Sequence, residues 1–193
     1  MNVISTDQIT GLILCGGAGS RLGGIDKGLA SFHGKTLVDI VISKLAPDVN
    51  SILISANRNI SDYEKRGLTV IKDKGWQDDG PNYDGPLAGI LAGLEAAKTE
   101  WLMVVPCDCP AFPPETLAEL AMAAQHDQKA AYVTGHPTFA IIPVHKLHAL
   151  QVYLQHGHRK LEQWLNEIGA TAVACSNEDA FRNLNTPQDF PQP

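Results

Sequence analysis

Between Thr10 and Leu29 an apolar run breaks abruptly into glycines. Leu12, Ile13 and Leu14 are followed by Gly16, Gly17, Gly19, Gly23 and Gly24, with Arg21, Asp26 and Lys27 set among them. Glycine tolerates positive φ and lets the backbone approach a ligand closely, so successive N–H groups can converge on one anion. Arg21 can offer phosphate oxygens a flat two-pronged guanidinium, and Lys27 a compact point charge. An ordinary connection between two elements has no need of two cations and an acid among five glycines. The stretch therefore predicts a buried strand that opens into a phosphate-binding loop.

Two familiar loops of this kind do not fit. A Walker loop needs Ser or Thr after its lysine, and Lys27 is followed by Gly28. The dinucleotide fingerprint starts well with Gly17 and Gly19 but has Leu22 at its third position. The next predicted strand also ends in Ser55-Ala56-Asn57, where a ribose-binding acid would be expected. The loop suits a nucleotide by some third arrangement.

At 193 residues with 44% hydrophobic side chains, the chain is expected to be a single domain, 1–193, with a full core. A net charge of -6 argues against a general polyanion binder, so any phosphate site must be a local pocket. No nucleic acid and no membrane are expected as partners. Met1 to Ser5 lacks the basic start and apolar core of a secretory leader, which points to a cytoplasmic location. Cys15, Cys107, Cys109 and Cys175 do not form the paired spacing of a structural zinc site, and free thiols fit best.

Periodicity predicts alternating elements. A helical stripe covers Lys35 to Leu45, a strand Ser51 to Ser55, and another Leu68 to Ile71. The connection from Lys74 to Tyr83 is turn-rich and polar, expected to be mobile, with Asp78 and Asp79 as solvated turn residues. Gly85 and Pro86 open a helix through Ala97, whose N-terminus carries partial positive charge. Trp101 to Val105 is the most hydrophobic strand and should be central. Pro113 to Gln125 follows as a helix, Ala130 to Thr134 and Thr138 to Ile142 as strands around Gly135-His136-Pro137, and Val144 to Leu154 as a helix bearing surface His145 and His148. A late strand, Thr171 to Cys175, precedes Thr186, which suits an N-cap before Pro187.

This alternation predicts an α/β three-layer sandwich with a mostly parallel, Rossmann-like sheet. Ligands of such sheets sit at the carboxyl ends of the strands, which places the glycine loop, Ser55, Asp73 and Asp108 along one edge. Asp108 lies between Pro106 and Pro110 at the end of the buried strand. A carboxylate held on so stiff a segment is a candidate magnesium ligand, since Mg2+ typically takes one or two protein carboxylates plus substrate phosphates. His156 to Lys160 is a basic cluster that could neutralise a second anionic substrate, although such runs are usually solvated.

The run from Leu14 to Leu29, with Gly16, Gly17, Arg21, Gly23, Gly24, Asp26, Lys27 and Gly28 at fixed spacing, resembles the signature of the molybdenum cofactor guanylyltransferases. Val70 to Asp73, Gly85 to Gly89, Pro106 to Pro110 and Asn183 to Pro187 agree with that family in order. The resemblance implies the nucleotidyltransferase (nucleotide-diphospho-sugar transferase) type of fold, with GTP as donor, molybdopterin as acceptor and Mg2+ as cofactor. It also implies exchange with proteins that deliver or receive the molybdenum cofactor. By the family's pattern Leu14, Cys15, Gly16, Ser55 and Asp73 take the guanosine side, and Gly17 also binds GTP. Lys27 and Asp108 serve the phosphates, with Asp108 as metal ligand; residue chemistry adds Arg21, which with Lys27 would draw charge off the leaving pyrophosphate. Arg159, Lys160, Asn183 and Asn185 suggest the pterin phosphate site. The family often has Asn where Ser55 stands, and Asn57 is a possible substitute. A cytidylyltransferase of the same plan tends to have Ala where Gly16 stands, so the Gly16-Gly17 pair favours GTP. Arg21, Lys27 and Asp108 together speak against a nucleotide-binding module without turnover.

Overall fold

A computed structural model describes residues 4–16, 26–73, 85–175 and 177–190. Gly17, Arg21 and most of the expected phosphate loop lie outside the described residues, as does the connection 74–84 with Asp78 and Asp79. Strand β1 (Ile9–Leu14) is followed by the short strands β2 (Ser31–Phe32) and β3 (Lys35–Thr36), then helix α1 (Leu37–Leu45). Strand β4 (Ser51–Ser55), helix α2 (Ile60–Glu64), β5 (Thr69–Ile71), α3 (Pro86–Ala96) and β6 (Trp101–Pro106) complete the first half. The second half contains α4 (Glu115–Asp127), β7 (Ala131–Val133), β8 (His136–Pro143), α5 (Leu147–Gln155), α6 (Leu161–Glu167) and β9 (Thr171–Val173).

Seven strands form one sheet in the order β5-β4-β1-β6-β8-β7-β9. β1 runs parallel to both β4 and β6, β4 to β5 and β7 to β9, while β8 runs against β6 and β7. The mostly parallel sheet expected from the sequence is thus present, with one strand reversed. That reversal follows from the tight turn at Gly135 (φ 78°), which cannot span the crossover a parallel neighbour needs.

Side-chain alternation along the strands builds two apolar layers. Ile13, Met103, Val105, Phe139 and Ile141 pack with Val38, Val41 and Leu45 of α1 and with Leu117 and Leu120 of α4. Leu12, Leu102, Val104, Ala140 and Ile142 pack on the other face with Ile90 and Leu94 of α3, Leu150 of α5 and Trp164 of α6. No helix among the described residues is long and apolar enough to cross a membrane.

Several boundaries differ from the periodicity, among them α4, which runs from Glu115 to Asp127 instead of Pro113 to Gln125, and β9, which ends at Val173 instead of Cys175. The helix predicted from Lys35 begins at Leu37, because Lys35 and Thr36 pair with β2 around His33-Gly34 and Thr36 Oγ1 caps the helix by accepting Asp39 N–H at 3.3 Å. Val144 to Lys146 is a 3-10 turn that precedes α5. His136 and Pro137 belong to β8 and not to the turn.

Leu12 lies fully buried in the middle of β1. Leu12→Ala should cost about 2–5 kcal/mol in urea unfolding, and a loss below about 1 kcal/mol would contradict this packing.

Candidate active site

The register of the parallel strands fixes where their chains exit. Leu14 lies opposite both Ser55 and Pro106, and Ser55 opposite Ile71, so four strands end at one level. Backbone bonds carry the pairing one residue further: Cys15 N–H donates to Ser55 C=O at 2.8 Å, and Cys107 N–H to Leu14 C=O at 3.1 Å. The residues that follow, Gly16, Asn57, Asp73 and Asp108, therefore share one rim. β8 starts at the same rim, because it runs against β6.

Two polar clusters stand on this rim. In the first, Ser55 Oγ donates to Asp73 Oδ1, Asn57 Nδ2 donates to Asp73 Oδ2 at 2.8 Å, and Asp73 N–H returns a bond to Asn57 Oδ1 at 2.9 Å. Glycines bring two further segments against the carboxylate. A Cβ at Gly16 would lie 3.0 Å from Asp73 Oδ2; one at Gly89, in the first turn of α3, would lie 2.8 Å from Ser55 Oγ and 3.1 Å from Asp73 Oδ1. The positive end of α3 thus faces Asp73. Each carboxylate oxygen has a second lone pair, so Asp73 can still accept two bonds from a ligand. Ser55 is 1% exposed and spends its hydroxyl on Asp73, which makes it a support for that carboxylate rather than an open rim group.

The second cluster joins three distant parts of the chain. Lys27 Nζ lies 3.3 Å from Asp108 Oδ2 and also donates to Asn185 Oδ1. Leu184 N–H donates to the Asp108 carbonyl at 2.8 Å, and Cys109 Sγ donates to Asn183 Oδ1 at 2.6 Å. Burial, then the Asp108 charge, pushes the Cys109 thiol well up, so it stays a protonated donor. A hydrogen bond with Cys15 does most to raise the Cys107 thiol, followed by burial. All four cysteines are free. Among the described residues, Asp108 Oδ1 has only the distant Cys109 thiol beside it, at 3.7 Å, and the side chain is 17% exposed, which leaves lone pairs there to meet a cation.

The MobA-like NTP transferase domain matches residues 11–177. A molybdenum cofactor guanylyltransferase from Serratia proteamaculans is 43% identical over 95% of this chain and 92% of its own. The chain belongs to this family. A second molybdenum cofactor guanylyltransferase, from Cupriavidus necator, is 41% identical over 95% of each chain. The fold agrees as well. A crystal structure of molybdopterin-guanine dinucleotide biosynthesis protein A from Archaeoglobus fulgidus superposes with a TM-score of 0.72 over 93% of this chain and 94% of that one, at 24% identity. Membership makes the chain a nucleotidyltransferase.

Within that family frame, the structure brings Leu14, Cys15, Gly16, Ser55 and Asp73 together, and separately Lys27, Asp108, Asn183 and Asn185. Arg159 and Lys160 lie at the entry to α6. Arg159 Nη1 donates to the carbonyls of Leu154 and His158, and Lys160 flanks Pro137 at the start of α6. His145 and His148 are exposed, as expected. Thr186 stands directly before the 3-10 turn Pro187–Asp189, the position expected of it. Its N–H and hydroxyl donate to Asp189 Oδ2 at 2.8 and 2.9 Å, because the carboxylate three residues on is the stronger acceptor. Four contributors escaped sequence reasoning: Asn59 and Tyr63, which donate to Asp26 beside Lys27, Cys109, and Asp189. Nothing in a polar segment or a thiol's neighbours announces the distant partners of the first three; Asp189 acts on its own local turn, where the cap role was assigned to Thr186 instead.

The bonds from Thr186, first its N–H and then its hydroxyl, with that of Asn185 N–H, lower the Asp189 carboxyl to about 2. A lowered carboxyl contributes fully above its ordinary value of about 4 and loses that contribution as pH falls through the folded value. The Asn185 and Thr186 amide signals in NMR should therefore hold down to about pH 4 and titrate with a midpoint near 2. A midpoint near 4 would contradict the bonding.

Proposed function

We propose that this chain transfers GMP from GTP to molybdenum-molybdopterin, releasing pyrophosphate and forming the guanine dinucleotide cofactor. The observation that carries the reading is the pairing, on one rim, of a carboxylate set for a base with a lysine-carboxylate junction set for phosphates. Guanine presents adjacent N–H donors on one edge, and Asp73, fixed by Ser55 and Asn57, offers two acceptors to match them. Cytosine offers a donor next to an acceptor, so a carboxylate there would face one unfavourable contact. The names of the relatives agree with GTP and molybdopterin as substrates.

A terminal phosphate oxygen of the pterin attacks the α-phosphorus of GTP in line. The new P–O bond forms as the bond to the β-phosphate oxygen breaks, and pyrophosphate leaves with the electron pair. No covalent nucleophile is needed, so the protein's part is positioning and neutralisation of charge. Lys27, and in our reading Arg21, draw charge off the leaving pyrophosphate. Gly16 and Gly17 let the loop backbone approach the phosphates. Asn185 holds the Lys27 ammonium between the C-terminal segment and Asp108.

Asp108 is the group that would hold a divalent cation, Mg2+ in our reading. Among the described residues no cluster of three or more His, Cys, Asp or Glu side chains could bind a metal alone. A lone carboxylate beside a phosphate site fits an ion that keeps most of its waters and takes its remaining ligands from the substrate. Such an ion would neutralise the triphosphate and stabilise the developing charge at phosphorus. Asn183 and Asn185, at the same junction, are proposed to meet the pterin phosphate, with Arg159 and Lys160 further along the rim as a weaker second contact.

Pyrophosphate release should require GTP, Mg2+ and molybdopterin together. Release with CTP in place of GTP would favour a cytidylyltransferase, and tight GTP binding without release would favour a module that does not turn over. Asp108→Asn should fold with an unchanged circular dichroism spectrum and lose roughly 10²–10³ in kcat. A wild-type rate in saturating Mg2+ would remove Asp108 from the mechanism.

A further inference from the structure

Lys27 is a long, flexible side chain that must present its ammonium at one point. Its backbone is fixed by the residue before it. Asp26 Oδ1 accepts Gly28 N–H at 3.2 Å, closing the 3-10 turn Lys27–Leu29. The same oxygen accepts the Tyr63 hydroxyl at 2.5 Å, and Oδ2 accepts Asn59 Nδ2 at 3.1 Å. Both partners come from α2 and its entry, on the far side of β4 in sequence. Tyr63 is fully buried, and its ring occupies the space a side chain at residue 28 would need: a Cβ there would lie 3.2 Å from Cε1 and Cζ. Burial, followed by the nearby Cys15 thiol and the bond to Asp26, raises the phenol far above its ordinary value, so it remains a donor throughout the working pH range.

We infer that Tyr63 is a positioning residue for the transfer reaction, holding Asp26 and the Lys27–Leu29 turn so that the Lys27 ammonium stands at Asp108 and Asn185. A solvated aspartate could cap the same turn without a buried phenol, and its own rotamers would let the turn shift. With both oxygens bound from α2, Asp26 has little freedom left. The same short segment begins with Asn57, which grips Asp73, so the base cluster and the phosphate lysine are tied to one piece of backbone. Separation of the two clusters is thereby set inside the protein before substrate arrives.

The inference rests on the proposed role of Lys27 in phosphate chemistry, and a double-mutant cycle on the full chain separates the two. Tyr63→Phe keeps the ring and removes the donor. It should lower kcat for pyrophosphate release by roughly ten- to a hundred-fold, the scale of a small misplacement, with the KM for GTP within about threefold of wild type. Lys27→Ala should be slower still. If Tyr63 acts through Lys27, Tyr63→Phe in the Lys27→Ala background should slow the reaction by no more than about twofold further. A structural role alone would instead multiply the two losses, and that result would overturn the inference, as would an unchanged kcat in Tyr63→Phe. A wild-type rate in Lys27→Ala would refute the role of Lys27 itself, and the inference with it. Should Tyr63→Phe fail to fold, Asp26→Ala takes its place in the cycle, cutting the same chain at a half-buried residue. Non-additivity there supports the inference, and multiplied losses overturn it.

Discussion

Parallel pairing of β1 with β4 on one side and β6 on the other, in matched register, is the constraint from which the site follows. Leu14 has Ser55 and Pro106 as its lateral neighbours, and the next backbone bonds continue that pairing through Cys15 and Cys107. A slip of one residue in either pair would turn every side chain of a strand to the opposite layer. Leu12 would then exchange layers with Ile13, and the buried apolar faces would meet the wrong helices. The core thus fixes the register, and the register places Gly16, Asn57, Asp73 and Asp108 on one rim of the sheet.

On that rim, charge is held by backbone and neutral side chains as much as by opposite charges. Asp73 is bound by a hydroxyl, an amide and the positive end of α3. Asp108 meets Lys27, but its carbonyl and its neighbour Cys109 also anchor the returning C-terminal segment through Leu184 and Asn183. Asp189 in turn closes that segment on itself. In the proposed reaction these two carboxylates would serve the nucleotide and its metal ion from positions already fixed by the protein.

How much of this was legible beforehand depends on whether a residue acts through its neighbours in sequence. Lys27 and Asp108 were legible as candidates because the signals are local: a cation in a glycine loop, and a carboxylate between two prolines at the end of the most apolar strand; that the two meet was not. The β7–β8 hairpin was legible as two strands around a turn, but the reversed direction of β8 against β6 was not spelled out. The helix start at Leu37 was missed because Thr36 looks equally suitable inside a stripe and at its cap. Arg159 and Lys160 were singled out by charge, and charge alone does not tell on which part of the rim a helix entry will lie.

The amino-acid order by itself determined the class of fold, the family and the short list of groups able to handle phosphate, because period, glycine spacing and residue chemistry are local properties. Only the tertiary structure decided that Ser55 and Asn57 grip Asp73, that Asn185 meets Lys27, and that Tyr63 reaches Asp26. Those pairs are separated by 16 to 158 residues of chain. Their meeting is fixed by strand register and helix packing, which are properties of the whole core and of no single segment.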